Sequence, residues 1–454
     1  MQYFIDPFGC AKNQVDAENM MASLNSAGWT AATPEDADLI IINSCGFIDS
    51  AKQESINAVL RWRELYPQKK ILLAGCLPQR YKKELTEALP EADSLFGNSD
   101  LSGINNAAAQ VVGLQPAEIP AAVTFPAEAG NRASVGNRPL LSFPGSAYVK
   151  ISEGCDNRCS FCAIPLIRGS LKSREIPGIL DECRALLGRG IRELCIIGQD
   201  IGSYGRDMAA VKNSLETGSA LLPVLMEKLS CLEGDFWVRL LYIHPDHFPL
   251  PILDIMKKDS RFLPYFDLPF QHGSEKILAL MNRRGNPETY LKLIQTIRNE
   301  IPDAVIRTTF LTGFPGETEE DFRALLDFQE KAEPDWAGCF EYSREEDTAS
   351  YSMKPQVAKK IVHERKGMIE NCQIPITERR MDRFIGRSFD VLVEEKVEGE
   401  DGLWLGRLPF QAPDVDGAAV INSDGGLKPG AFIKGRIFAR AGFDLEVTDQ
   451  IDGE

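Results

Sequence analysis

The sequence predicts an α/β protein in three parts: an N-terminal parallel α/β domain, a central partial (β/α)6 barrel and a C-terminal small β-barrel of the oligonucleotide-binding type. Three observations predict it. A short apolar strand, a cysteine and an amphipathic helix follow one another three times before residue 112. Six further strand-like runs then alternate with helical segments. From Phe384 onward the chain changes to short strand-like runs broken by Gly, Asp and Pro.

In the first part, residues 2–6 lead to Cys10, 37–42 to Cys45 and 70–74 to Cys76. Helices are expected from about Gln14, Ser50 and Gln79. Strands alternating with helices imply a parallel sheet with right-handed crossovers. Every strand-to-helix loop then emerges at one edge, where ligands collect. Cys10, Cys45 and Cys76 are therefore expected to converge.

The second part offers strands at 148–151, 193–197, 236–242, 265–268, 305–311 and 338–342. Six units suggest an open barrel with its chemistry at the carboxyl edge. The third part offers strands at 389–393, 431–437 and 443–447. The domain boundaries read from these patterns are 1–112, 147–378 and 384–454, with a Pro-, Ala-, Gly- and Asn-rich linker over 113–146.

The chain has 454 residues, 44% hydrophobic and 26% charged, which fits a multidomain soluble protein. Neither a signal peptide nor an apolar run long enough to span a bilayer is evident, so a cytoplasmic protein without membrane contact is expected. In a reducing compartment the 11 cysteines are better read as metal ligands or catalytic groups than as a disulfide framework. The net charge of −16 disfavours attraction to nucleic acid.

Cys155, Cys159 and Cys162 form a C-x3-C-x2-C loop just after the first barrel strand. Thiolates are the usual ligands of iron–sulfur clusters. Three thiolates on a four-iron cluster leave one iron open, and an open position marks a catalytic rather than a structural metal site. Structural zinc normally takes four closed ligands, so a zinc knuckle is the weaker reading. For Cys10, Cys45 and Cys76, burial as small hydrophobes competes with a second cluster. Their identical placement in three successive units favours the cluster.

The C-x3-C-x2-C loop after the first strand of a six-unit barrel resembles the radical S-adenosylmethionine superfamily. There the open iron binds S-adenosyl-L-methionine, and reductive cleavage yields a 5′-deoxyadenosyl radical. With the three N-terminal cysteines and the C-terminal barrel, the whole chain resembles the methylthiotransferase family. The resemblance implies two 4Fe-4S clusters, one on Cys155, Cys159 and Cys162 and an auxiliary one on Cys10, Cys45 and Cys76. It also implies a TRAM domain at the C-terminus, a sulfur source at the auxiliary cluster and an electron donor such as flavodoxin or ferredoxin.

Two branches of that family compete, one modifying a transfer RNA adenosine, the other an aspartate β-carbon on the twelfth protein of the small ribosomal subunit. Cys45-Gly-Phe-Ile-Asp-Ser-Ala51, Gly75-Cys-Leu-Pro-Gln-Arg-Tyr81, Ile164-Pro-Leu-Ile-Arg-Gly169 and Gln199-Asp-Ile-Gly-Ser-Tyr-Gly205 resemble the second branch. Residues 384–454 hold 14 acidic and 7 basic side chains, a formal charge of −7. Such a module is expected to repel a polyanion, and its acidity suits either attraction of a basic ribosomal protein or a plain solvated face that aids solubility, the first being the favoured reading. Direct nucleic-acid binding is not expected.

Four further residues are expected to touch S-adenosyl-L-methionine. Gln199 and Asp200 end the second barrel strand, where superfamily members hold the cofactor's amino group. Arg307 could pair its carboxylate or make a structural ion pair. Gly313 permits close approach to the adenosine moiety, while Thr318 and Asp321 nearby fit a helix cap. Gln271 and His272 are read as packing residues. Cys183, Cys195, Cys231, Cys339 and Cys372 are expected to be buried without function.

Overall fold

A computed structural model describes residues 1–114, 137–208 and 220–450. The N-terminal sheet holds β1 (Gln2–Pro7), β2 (Thr30–Ala31), β3 (Leu39–Ser44), β4 (Lys70–Gly75) and β5 (Ser94–Gly97). Its order is β2-β1-β3-β4-β5 and every pairing is parallel. β3 reads Leu-Ile-Ile-Ile-Asn-Ser and is buried throughout, as a parallel strand covered on both faces must be. Helices α1 (Ala11–Ser26), α2 (Asp49–Leu65), α3 (Cys76–Ala88) and α4 (Ile104–Val111) cover it. The helices begin earlier than their periodicity suggests. α1 starts directly after Cys10, and α3 starts on Cys76 itself.

The central strands are β6 (Ser146–Lys150), the short hairpin pair β7 (Ser152–Glu153) and β8 (Lys172–Ser173), β9 (Glu193–Ile197), β10 (Trp237–Leu240), β11 (Tyr265–Asp267), β12 (Val305–Thr312) and β13 (Trp336–Glu341). The six barrel strands are parallel and follow chain order in two sheets of three, β6-β9-β10 and β11-β12-β13. A bridge from Val238 of β10 to Phe262 ties the first sheet to the segment that leads into β11. Between β6 and β9 run α5 (Ile164–Arg168) and α6 (Ile176–Gly188).

Strand side chains alternate between faces. Ala147, Val149, Leu194 and Ile196 pack outward into the core under the helices. Tyr148, Cys195, Trp237, Tyr265 and Trp336 face the other way, and the C-terminal domain packs on them. That domain is a closed barrel of β14 (Ser388–Lys396), β15 (Leu403–Arg407), β16 (Ala419–Asn422), β17 (Phe432–Ala441) and β18 (Asp444–Thr448). β15 and β16 were not among the expected strands. Both are short and flanked by Gly-, Asp- and Pro-rich loops, which dilutes their alternation.

Buried charge fixes this domain to the central barrel. Glu193 accepts from Arg239 at 2.8 Å and from Arg407 at 2.5 Å, and Arg407 also pairs with Glu394. The expected linker falls largely on 115–136, outside the described residues. Within its described end, Arg138 is 1% exposed and pairs with Glu18 of α1 and Glu182 of α6.

Burial raises the Glu193 carboxyl, but Arg407 and Arg239 outweigh it and hold the group at about 2 instead of 4.5. Its contribution to stability is therefore complete above 4.5 and is lost as pH falls through about 2. Glu193→Ala leaves two buried guanidinium groups without their carboxylate. It is expected to cost about 3–5 kcal/mol in urea unfolding at pH 7; an unchanged midpoint would contradict this role.

Candidate functional site: two cysteine triads at a domain junction

The loops after β1, β3 and β4 lie side by side because those strands are neighbours in the sheet. A Cβ on Gly9 would stand 3.0 Å from Cys45 Cβ, and one on Gly46 would stand 2.8 Å from the Cys76 carbonyl oxygen. Only glycine lets the three cysteine loops approach this closely. Asn13, on the first turn of α1, ties them together. Its Nδ2 donates to the carbonyls of Phe8 at 2.6 Å and of Asn43 and Ser44 at 3.2 Å. The Cys76 thiol donates to Asn13 Oδ1 at 3.7 Å, and Cys76 Sγ accepts from Asn98 Nδ2 at 3.3 Å.

The second triad occupies the loop after β6 and β7. The backbone N–H of Cys155 donates to Gly169 at 3.1 Å, and that of Cys162 donates to Cys159 at 3.1 Å. Ser160 ties the loop to the chain near Met281 through its N–H and to Leu280 through its hydroxyl. Burial pushes Cys155 and Cys162 up to about 12, and each thiol feels the charge of its neighbours in the triad. Cys45 and Cys76 are also pushed up by burial, Cys76 to about 12. Cys10 differs. Burial raises it too, but Lys12, Arg168 and the backbone N–H groups of Asn13 and Lys12 together bring it below its usual value.

The segment that follows the second triad meets the first triad at the domain junction. Cys76 and Phe47 of the first domain pack with Ala163 and Ile167, which directly follow the second triad. Charge locks this contact. Asp16 of α1 pairs with Lys150 and with Arg168, the latter at 2.9 Å. Glu153 pairs with the same two cations at 2.6 and 2.8 Å. Arg168 also donates from Nη2 to Cys76 Sγ at 3.2 Å, so a barrel residue touches the first triad directly. A second contact sets Arg80 and Lys52 against Glu345, at 2.6 and 3.0 Å.

Among the described residues, no three His, Cys, Asp or Glu side chains converge on one point as a single metal ion needs. The loops of Cys10, Cys45 and Cys76 approach one another closely, and Cys155, Cys159 and Cys162 share one loop.

The four expected cofactor contacts fare unequally. Gln199 stands half-buried at the end of β9, and its Nε2 is a buried donor without a partner, as a ligand contact would leave it. Asp200 is fully engaged. It accepts from Asn157 and His247 at 2.9 Å, from Ser203 at 2.7 Å and from the N–H groups of Gly202 and His244 at 3.0 Å. Burial raises its carboxyl, but His247 and His244 hold it at about 2. It anchors the C-x3-C-x2-C loop through Asn157. Arg307 pairs with Asp267 at 3.3 Å and with Asp416 of the C-terminal barrel at 3.5 Å, which is the structural alternative. Gly313 has φ +81°, and a Cβ there would stand 2.4 Å from Val362. Its requirement for glycine thus comes from the chain itself.

Thr318 and Asp321 form the capping box their spacing suggests. His272 is fully buried, facing Glu317 at 3.3 Å and accepting from the Ser274 N–H at 2.9 Å. Cys183, Cys195 and Cys339 are buried, but Cys372 is partly accessible and Cys231 is exposed, one residue beyond the helix Leu222–Ser230. Two site residues escaped the sequence reading. Arg283 is 7% exposed, and its charge offsets part of the burial that raises the Cys159 and Cys162 thiols. Lys12 is 5% exposed, with Nζ 3.1 Å from the ring centroid of Tyr242. Nothing local marks either, since their neighbours come from distant segments.

This fold and these triads define a radical S-adenosylmethionine protein. The family described as "Radical SAM superfamily" matches residues 149–328, "Uncharacterized protein family UPF0004" matches 2–97 and "TRAM domain" matches 385–448. A solved structure of the radical S-adenosylmethionine methyltransferase TsrM from Kitasatospora setae, with cobalamin and a [4Fe-4S] cluster bound, aligns with a TM-score of 0.55. It is 14% identical and covers 77% of this chain and 76% of that one, a likeness of fold. Sequence relatives are nearer. The ribosomal protein uS12 methylthiotransferase RimO of Treponema denticola is 48% identical over 98% of this chain and 100% of its own length. The proteins of the same name from Clostridium kluyveri and Aquifex aeolicus are 40% and 37% identical, over 96% and 99% of this chain and 95% and 97% of their own. The chain belongs to the RimO family of methylthiotransferases.

In metal-free chain at neutral pH, Cys10 is expected to be alkylated fastest of the six triad cysteines, because only its thiol lies below the usual value. Peptide mass spectrometry after a short iodoacetamide pulse reads this directly. Preferential labelling of Cys76 or Cys162 would contradict the electrostatics described.

Proposed function

We propose that the chain replaces a C–H bond with C–SCH3 at the β-carbon of an aspartate on ribosomal protein uS12. The carrying observation is the locked juxtaposition of two incompletely ligated cysteine triads, with Arg168 of the barrel on Cys76 of the first domain. Cys155, Cys159 and Cys162 would hold one 4Fe-4S cluster, and Cys10, Cys45 and Cys76 the other. Gln199 Nε2, the unpartnered donor at the barrel's carboxyl edge, is the strongest of the four expected contacts to S-adenosyl-L-methionine. Asp200, Arg307 and Gly313 act through the frame around it. When bound, the clusters and S-adenosyl-L-methionine supply the radical, the sulfur and the methyl group. The chain's own work is to hold the two triads at a fixed approach, to seat the substrate between them and to keep water out.

The names of the relatives favour uS12, and the formal charge of −7 over residues 384–454 suits a basic ribosomal protein better than an RNA. The transfer RNA adenosine branch is the disfavoured alternative. We take the functional units to be 1–112, 147–378 and 384–454 about the 113–146 linker. We place the work in the cytoplasm, with reducing equivalents from a small donor of the flavodoxin or ferredoxin kind. Among the described residues no helix is long and apolar enough to cross a membrane.

Two measurements test this. In cells lacking the chain, uS12 is expected to lose about 46 Da, the mass difference of a thiomethyl group replacing hydrogen. Persistence of that mass would overturn the substrate. In purified protein, replacing Cys10, Cys45 and Cys76 by Ala together should halve the iron, from about eight to about four per chain, while cleavage of S-adenosyl-L-methionine continues. Replacing Cys155, Cys159 and Cys162 should abolish that cleavage. Full iron in the first triple variant would contradict the auxiliary site.

A further inference from the structure

We infer that Lys12 receives the side-chain carboxylate of the substrate aspartate, and so sets the preference for an acidic residue at the modified position. The inference rests on the reading that the chain modifies an aspartate β-carbon.

That carbon is bonded directly to the carboxylate carbon. Wherever the β-carbon is placed for attack, the carboxylate lies one bond away. A carboxylate drawn out of water into a junction between domains needs a cation with free hydrogen-bond donors. The junction offers several cations, and their existing partners separate them. Arg168 is used by Asp16, Glu153, Asn13 and Cys76. Lys150 is used by Asp16 and Glu153. Arg307 is used by Asp267 and Asp416. Arg283 keeps a buried Nε without a partner, but it stands by the other triad, where its charge acts on Cys159 and Cys162, and it donates from Nη1 to the Pro269 carbonyl at 2.8 Å.

Lys12 is different. It is 5% exposed, yet among the described residues its ammonium makes no hydrogen bond or ion pair and lies over the face of the Tyr242 ring, 3.1 Å from Nζ. A ring face steadies an ammonium without occupying its three N–H donors. Cys10 attracts it most and the carboxylates Asp267 and Glu153 less, and those carboxylates are held elsewhere, Asp267 by Arg307 and the Tyr242 N–H, Glu153 by Lys150 and Arg168. An ammonium this nearly buried, its donors left to what little solvent reaches it, is costly to the free protein, and a binding site is where such a cost has a use.

Position agrees with charge. Lys12 lies two residues after Cys10, on the side that supplies sulfur. Its ammonium reaches across to Tyr242, just beyond β10 at the carboxyl edge of the barrel, on the side that supplies the radical. A carbon that loses hydrogen toward one side and gains sulfur from the other sits between them, within reach of Lys12. The bland alternative is that Lys12 serves Cys10 alone, as a counter-charge that lowers its thiol. That role would be indifferent to the substrate side chain.

The test compares uS12 carrying Asp with uS12 carrying Asn at the modified position, binding to iron-loaded protein under anaerobic titration calorimetry. The wild-type chain is expected to bind the Asp form at least tenfold more tightly. Lys12→Gln, which keeps the stem without the charge, should bind both forms equally. Lys12→Arg should keep a preference for Asp. Each ratio is internal to one variant, so a partial loss of iron or stability cancels. A Lys12→Gln protein that keeps the wild-type ratio, or a wild-type protein that binds both forms equally, would overturn the inference. Failure of the wild-type chain to bind uS12 in either form would instead remove the substrate reading itself, and the inference with it.

Discussion

The structure depends on one buried knot of charge. Asp16 and Glu153 each pair with both Lys150 and Arg168, across the seam between the N-terminal sheet and the barrel. Asp16 could not be buried alone, and each cation has both carboxylates as partners, so the four groups support one another. Arg168 sits on the segment that leaves the C-x3-C-x2-C loop, and Asp16 lies one and a half turns along the helix that leaves Cys10. Fixing the charges therefore fixes the two triads relative to each other. A hydrophobic seam of the same area would hold the domains with less control of register, because apolar contact is not directional.

The sheet and the barrel each deliver their cysteines by the same rule. A parallel strand ends, a loop turns, a helix starts, and the loop faces the carboxyl edge. The C-terminal barrel completes the arrangement from the opposite side. It packs on Tyr148, Trp237, Tyr265 and Trp336, and Glu193, Arg239 and Arg407 join it to the barrel strands by charge. The open face of a six-strand barrel would otherwise present these rings to water. Asp416 reaches from this barrel to Arg307 and Tyr265, so the third domain also steadies the strand that precedes Gly313.

Much of this was legible in the sequence, for reasons that differ by element. β3 and β9 are continuous apolar runs bounded by polar residues, and strand periodicity finds them. The convergence of Cys10, Cys45 and Cys76 followed from topology alone, since parallel strands put all their exits on one edge. The edge strands β2 and β5, of two and four residues, carry too little pattern to read. Asp200 was legible as a strand-end residue but not as the anchor of Asn157 and His247, because those partners are 43 and 47 residues away. The same holds for Arg168, Lys12 and Arg283. Charge on a side chain is visible in sequence; which distant group it answers is not. Arg138 is the sharpest case, a cation in an apparently unpatterned stretch that proves to be 1% exposed between two glutamates.

The account turns on where iron sits. Anomalous diffraction at the iron edge, from anaerobically loaded crystals of the full chain, measures this directly. It should give two compact peaks facing each other across the seam, one bounded by Cys10, Cys45 and Cys76 and the other by Cys155, Cys159 and Cys162. A single peak, or a second peak remote from the first three cysteines, would contradict the account at its centre.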